Sequence, residues 1–317
     1  MADDEFAIID KYFSRIGWQS EQTVITGPGD DCAILSVPPG HELLVSTDTL
    51  VTGVHFPDNA SGIVVATRSF AAAVSDLAAM GAEPFAFTGA LTMPGVDHGW
   101  LSEFSGCLSD LSNEFQLPLV GGNLTKGPLS LTFTVMGLTP PGQSLKRDGA
   151  APGDDIYVSG HPGNAGAGLL LFLAASDDYP DLQNCYLNPK PQIELGKRLR
   201  SFASAAIDIS DGLSADLGHL AKSSRVRAEI DISLLPLSDA ILDYAERNKA
   251  ISLALTAGDD YELCFCAPQS SRSRIEDIAL QILKPITRIG SIQEGEGVEF
   301  VGTGGDHEFT QAGFRHF

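Results

Sequence analysis

Positive charge is scarce in this chain. Lysine and arginine total 20 against 41 aspartates and glutamates, a formal net charge of −21. Nucleic acids and anionic membranes both recruit basic surfaces, so neither is expected as a partner. Cysteine is scarce as well: there are 5, an odd number, and no CxxC pair. Cys264 and Cys266 alternate within an apolar run and would face one side of a strand. Buried reduced thiols suit that position better than a zinc site or disulfides do. No uninterrupted stretch of about 18 apolar residues offers a transmembrane helix. The opening Met1-Ala2-Asp3-Asp4-Glu5 is acidic where a signal or transit peptide is basic, so the expectation is a cytoplasmic protein.

Several signatures of nucleotide and hydrolase chemistry are also missing. There is no GxxxxGK[ST] phosphate loop, no HRD or DFG kinase signature and no GxSxG elbow. The glycine-rich run Gly160-His161-Pro162-Gly163-Asn164-Ala165-Gly166-Ala167-Gly168 lacks the GxGxxG spacing. It reads as a tight strand-to-helix turn and not as a dinucleotide site.

What is present is a long, apolar-rich chain. Its 317 residues, 43% of them hydrophobic, suffice for two cores. Phe6, Ile9, Phe13 and Ile16 recur at helical spacing. A Gly/Asp-rich turn follows at Gly27–Ala33, and Leu43–Leu50 alternates as a strand does. Ile63–Met80 is alanine-rich and helical in pattern. Phe85–Met93 and Leu129–Leu138 read as strands, with a helix near Leu101–Phe115 between them. Thr139-Pro140-Pro141-Gly142 and the polar residues up to Gly153 read as a linker. Beyond it, Ile156–Ser159 is a strand, and two strand-to-turn units are expected at Ala206–Ile209 and Ile251–Leu255. The prediction is a two-domain α/β protein with α+β type layers: residues 1–139, a linker at 140–153, and a C-terminal α/β domain at 154–317.

Carboxylates gather beside the expected strand ends. Gly29-Asp30-Asp31-Cys32-Ala33 reads alone as a solvated turn or a helix N-cap. Ser46-Thr47-Asp48-Thr49 ends an alternating strand. Asp76, in Ser75-Asp76-Leu77-Ala78-Ala79-Met80-Gly81, sits inside a helix with almost entirely apolar neighbours. Aspartate is a poor helix former and costly to bury unpaired, so either a cation or a hydrogen-bonding partner must neutralise it. Asp208 and Asp211, in Asp208-Ile209-Ser210-Asp211-Gly212, would share one face at a helix start, with Asp216 one turn on. Each cluster alone has a structural reading. Hard oxygen ligands from several segments are also what magnesium requires.

Taken together, these segments resemble the thiamine-monophosphate kinase family, in the superfamily of aminoimidazole ribonucleotide synthetase and selenophosphate synthetase. The resemblance spans essentially the whole chain. It is carried by Gly29–Ala33, Ser46-Thr47-Asp48-Thr49-Leu50-Val51 with His55-Phe56, Ser75–Ala82, Gly121-Gly122, Ala206–Leu213 and Asp260-Tyr261-Glu262-Leu263. It implies an N-terminal domain whose sheet pairs with that of a second subunit in a homodimer, with ATP near that interface. It also implies several Mg2+ ions, ATP as co-substrate and thiamine monophosphate as acceptor. Carried over position by position, it makes Asp31, Ser46, Thr47, Asp48, Asp76, Asp208 and Asp211 metal ligands. Gly122, Arg147 and Ser210 become ATP contacts, and His55, Asp259 and Phe314 thiamine-side contacts.

Two positions depart from the family pattern. Asn123 stands where the family has aspartate, offering metal and ATP a carbonyl oxygen without charge. Asp259 stands where the family has glutamate. Thiamine monophosphate brings its own nucleophile, since a phosphate monoester has a second pKa of about 6, so no general base is expected. The implied reaction is direct in-line transfer without a phosphoenzyme, giving thiamine diphosphate. Two alternatives remain: a nucleotide-binding sensor weakened by Asn123, or a related ATP-using synthetase. No cysteine precedes Cys32 as in selenophosphate synthetase, and the closing Arg315-His316-Phe317 lacks the cysteine of the hydrogenase-maturation relative.

Overall fold

The computed structural model describes residues 4–14, 16–17, 23–302 and 313–314; Met1–Asp3 and Arg315–Phe317 lie outside the described residues. The chain divides into two units, one of Met1–Leu77 with Ala82–Gly142, the other of Ala78–Gly81 with Gln143–Phe317.

The first unit runs α1 (Glu5–Tyr12), β1 (Val24–Thr26), β2 (Ile34–Leu35), β3 (Glu42–Val51), α2 (Gly62–Ala79), β4 (Glu83–Met93), α3 (His98–Glu114), β5 (Leu119–Lys126) and β6 (Ser130–Thr139). Strands β1 and β2 form a small ladder, and the main sheet has the order β3-β6-β4-β5. Its β3/β6 and β6/β4 pairs are antiparallel and its β4/β5 pair is parallel. Period-2 alternation assigns the faces. Leu131, Phe133 and Val135 on β6 are buried, while Leu43, Val45, Thr47 and Thr49 on β3 are exposed. The core aromatics meet edge to face, Phe70–Phe87 at 5.9 Å and Phe87–Phe133 at 5.2 Å. Each such fully buried ring stabilises the fold by about 2 kcal/mol.

Helix α2 starts where the Ser61 hydroxyl accepts the Val64 N–H at 3.3 Å. By length and composition it could cross a membrane, yet 83% of its apolar window is buried within the protein. It is the core helix of this unit, and Ala71–Ala73 are small enough to pack closely there. Helix α1 turns differently from the sequence expectation. Ile8 and Tyr12 are its buried residues, while Phe6 is 75% exposed. The Phe6, Ile9 and Phe13 face instead lines a cavity.

The second unit runs β7 (Asp155–Ser159), α4 (Asn164–Leu173), α5 (Pro180–Leu187), α6 (Ile193–Leu199), β8 (Ala205–Ile209), α7 (Leu213–Ser224), β9 (Arg227–Asp231), α8 (Asp239–Tyr244), α9 (Arg247–Thr256), β10 (Glu262–Ala267), α10 (Arg272–Ile282), β11 (Ile286–Gln293) and β12 (Gly297–Val301). Its sheet has the order β12-β9-β11-β7-β10-β8. Strand β10 shows how both faces are filled: Cys264 and Cys266 pack with Leu213, Leu217 and Ile207. Leu263 and Phe265 pack on the other side with Leu195, Leu199 and Ile275. The cysteines thus share one side of a strand, buried and free. Of the glycine-rich run, residues 160–163 form the turn from β7 into α4, and residues 164–168 already belong to α4.

One expected strand is a helix. Ile251–Leu255 lies within α9, where Ala250, Ile251, Ala254 and Leu255 are the buried positions. That is a helical stripe, and the short apolar run concealed its period. Asp208 and Asp211 are not together on a helix start either. Asp208 is in β8, and Asp211 is in the turn before α7.

Candidate active site

In the first unit, the expected site residues fall into three places. Asp31 is exposed in the turn between β1 and β2, where its N–H donates to Asp30 Oδ1 at 2.8 Å. This is the solvated turn, with no helix after it. Asp31, Gly122 and Asn123 line one cavity of about 510 Å3, whose apolar wall includes Phe6, Phe104 and Phe133. Gly122 and Asn123 arrive on β5, in parallel register with Gly89 and Ala90 of β4.

The second place is the inner face of β3 against α2. Alternation sends Ser46 and Asp48 to one face and Thr47 to the other. The Thr47 and Thr134 hydroxyls are 2.9 Å apart on the exposed face. The Ser46 hydroxyl donates to Asp76 Oδ2. Asp76 is therefore partnered and half-buried rather than sealed in apolar surroundings. Burial and the nearby Asp76 charge push the Asp48 carboxyl up to about 6. Two carboxylates and a hydroxyl thus concentrate hard oxygens and negative charge where a divalent cation would relieve the repulsion. This donor chemistry fits magnesium, although among the described residues no three His, Cys, Asp or Glu side chains converge into one metal-holding group.

The third place is the turn after β3. His55 Nδ1 accepts the Val51 N–H at 3.0 Å, and the buried Arg68 of α2 donates to the His55 carbonyl at 3.2 Å. Arg68 went unnoticed in the sequence because its target lies on another element.

In the second unit, the structure joins Asp208, Ser210, Asp211, Asp259 and Phe314 around two turns. Asp208 is buried at the end of β8. The Asp259 N–H donates to the Ser210 carbonyl at 2.9 Å, and the Phe314 N–H to the Asp211 carbonyl at 3.0 Å. Phe314 itself is 45% exposed. Arg147 is exposed, and its carbonyl accepts the Ser224 hydroxyl at 2.8 Å.

Asp216 organises this turn, a role not assigned from the sequence. Its Oδ2 accepts the N–H groups of Ser210, Asp211 and Gly212 at 3.0, 3.1 and 3.1 Å. The only signal was position: an acid in the first turn of α7, four residues after Gly212, can reach back to the N–H groups that precede the helix. Burial and the charges of Asp208 and Asp211 push its carboxyl up to about 8, against the pull of the backbone donors.

Comparison with known proteins gives these residues a family. Residues 29–139 match the AIR synthase related protein, N-terminal domain, and residues 151–302 match the AIR synthase related protein, C-terminal domain. The chain is 44% identical over 323 residues to a thiamine-monophosphate kinase of Salmonella typhimurium, covering 100% of this chain and 99% of that one. The crystal structure of thiamine-monophosphate kinase from Stenotrophomonas maltophilia superposes with a TM-score of 0.85 at 40% identity, over 95% of this chain and 96% of that one. A structure described as AaThiL complexed with AMPPCP and TMP superposes with a TM-score of 0.78 at 32% identity, over 89% of each chain. With two superfamily domains and full-length identity at this level, the chain belongs to the thiamine-monophosphate kinases of the AIR synthase superfamily.

Proposed function

We propose that this protein transfers the γ-phosphoryl group of ATP to thiamine monophosphate, releasing thiamine diphosphate and ADP. The observation that carries the reading is identity of 44% along the entire chain with a thiamine-monophosphate kinase. A relative of the same fold, 32% identical, is complexed with AMPPCP and TMP.

The residues supply a mechanism. The acceptor phosphate is largely dianionic at neutral pH and is itself the nucleophile, so the protein's task is to align two polyanions. Magnesium held by the residues named next would supply neutralisation of phosphate charge. In the first unit, Ser46, Asp48 and Asp76 would hold it, with Asp31 and Asn123 beside the cavity and Gly122 against ATP, whereas the Thr47 hydroxyl lies on the opposite face of β3 from these three. In the second unit, Asp208 and Asp211 would be ligands, while Ser210 and Arg147 would orient ATP. Asp259, His55 and Phe314 would face the cationic thiamine, the ring of Phe314 by stacking. No side chain is assigned as a general base, and transfer is direct.

The same reading makes the protein a cytoplasmic homodimer that associates through the exposed face of β3, where Leu43 is 44% and Val45 60% exposed. The testing experiment incubates purified protein with ATP, Mg2+ and thiamine monophosphate and quantifies both products by chromatography. Equimolar thiamine diphosphate and ADP, abolished by chelator, are expected. ATP binding without turnover would instead favour a sensor or another acceptor.

A further inference from the structure

The turn Gly258–Tyr261 is held in an unusual conformation. Asp259 has φ 70° and Tyr261 has φ 49°, both left-handed and neither glycine. Residues of this kind persist only when their surroundings impose the geometry. Asp260, between them, supplies the constraint. Its side chain is buried at the N-terminus of α4, where Oδ2 accepts the Gly163 N–H at 2.7 Å and Oδ1 accepts the Ala165 N–H at 3.1 Å. A carboxylate there also meets the positive end of the helix dipole. The backbone is pinned on both sides: Asp259 N–H donates to the Ser210 carbonyl and Tyr261 N–H to the Ile209 carbonyl, each at 2.9 Å. The buried Tyr261 then turns its hydroxyl back and donates to Asp259 Oδ1 at 3.2 Å.

These contacts converge on the orientation of one carboxylate. We infer that Asp260 and Tyr261 are positioning residues for Asp259, which they hold in the left-handed turn so that its carboxylate faces the cationic acceptor. The inference rests on the reading above that Asp259 contacts thiamine monophosphate. Asp260 touches neither substrate and acts through the backbone it anchors. Tyr261 acts through its hydroxyl. Asp260→Asn retains one acceptor oxygen but presents an amide N–H to the second backbone donor, so the turn must tilt.

The test compares Asp259→Asn, Asp260→Asn, Tyr261→Phe and the double variant Asp259→Asn with Asp260→Asn. Thermal midpoint, kcat, and KM for each substrate are measured. Asp260→Asn is expected to raise KM for thiamine monophosphate about tenfold, the equivalent of ~1.4 kcal/mol, and to leave KM for ATP within about twofold. Tyr261→Phe, which loses only a hydroxyl and keeps its packing, is expected to raise the same KM about threefold. If Asp260→Asn does not fold, Tyr261→Phe carries the test. In the Asp259→Asn background, adding Asp260→Asn should raise KM no further, because the group being positioned is already altered. Raised acceptor KM in Asp259→Asn, with Asp260→Asn and Tyr261→Phe folded but silent, overturns the positioning role alone. Multiplying effects in the double variant overturn it too. Unchanged acceptor KM in Asp259→Asn removes the acceptor contact and the inference with it.

Discussion

Gly121 and Gly122 are neighbours on one strand, yet they should respond oppositely to alanine. A Cβ on Gly122 would fall well inside van der Waals contact distance of the Gly89 carbonyl oxygen and 3.0 Å from the Gly89 carbonyl carbon. The obstruction is backbone, so no side chain can swing aside, and β5 must move away from β4. Overpacking costs about 1–3 kcal/mol. One or two weakened ladder hydrogen bonds add about 1 kcal/mol each. Reduced freedom of the unfolded chain returns about 0.4–1 kcal/mol. Because β5 is the edge strand, the displacement stays local, and Gly122→Ala should cost about 2–4 kcal/mol. At roughly 2–4 °C per kcal/mol, its thermal midpoint should fall by about 4–16 °C. A Cβ on Gly121 meets only Thr88 Cγ2 at 3.9 Å, an ordinary contact, so Gly121→Ala should stay within about 1 kcal/mol of the parent. The assay is thermal and urea unfolding by circular dichroism, with turnover measured in parallel. A Gly122→Ala protein that melts with the parent, or two variants that melt alike, would refute the close-approach argument. Gly121→Ala keeps the fold, so any loss of ATP affinity in it reports ligand approach alone.

Three further outcomes are expected. Burial pushes the Asp155 carboxyl up, but the hydrogen bond and charge of Arg272, with Arg288 and Tyr157, outweigh it and hold it below the usual carboxylate range. A carboxyl with a depressed folded pKa contributes stability above its unfolded pKa of about 3.9, and that stability is lost as pH falls through the folded value. Arg272→Gln, which removes contacts of 2.6 and 2.8 Å, should therefore move the acid-unfolding midpoint to higher pH in a circular-dichroism titration. Arg68→Met should cost about 1.5–3 kcal/mol in urea unfolding, the value of a hydrogen bond to a charged group, and should raise the KM for thiamine monophosphate by loosening His55. Asn123→Asp adds a charge worth about 1 kcal/mol at 4 Å from a monovalent charge in water. It should lower the Mg2+ concentration for half-maximal rate at least fivefold or so, and an unchanged magnesium titration would remove Asn123 from the metal site.

What the sequence disclosed, and what it withheld, follows the range of each interaction. β3 was legible because Leu43–Leu50 alternates, and α2 because its alanine-rich run is long. Ile251–Leu255 was misread because a short apolar run has no resolved period, and α9 uses it as a helical stripe. β5 went unread because Gly121 and Gly122 dilute its strand signal; their reason for being glycine lies across the ladder at Gly89. Asp48 and Asp76 were both singled out, but the bond from the Ser46 hydroxyl to Asp76 spans 30 residues of sequence. Asp216 left a positional signal nearby. Asp260 left none, because its backbone donors at Gly163 and Ala165 lie 97 and 95 residues away.

Direct transfer is tested by following the phosphorus. ATP labelled in its γ-phosphoryl group is mixed with Mg2+, thiamine monophosphate and the protein, and label is traced in product and protein during a single turnover. Direct transfer predicts that the label enters the terminal phosphoryl of thiamine diphosphate, one for each ADP formed, while the protein stays unlabelled throughout. Label passing through the protein, or appearing only as inorganic phosphate, would contradict the account.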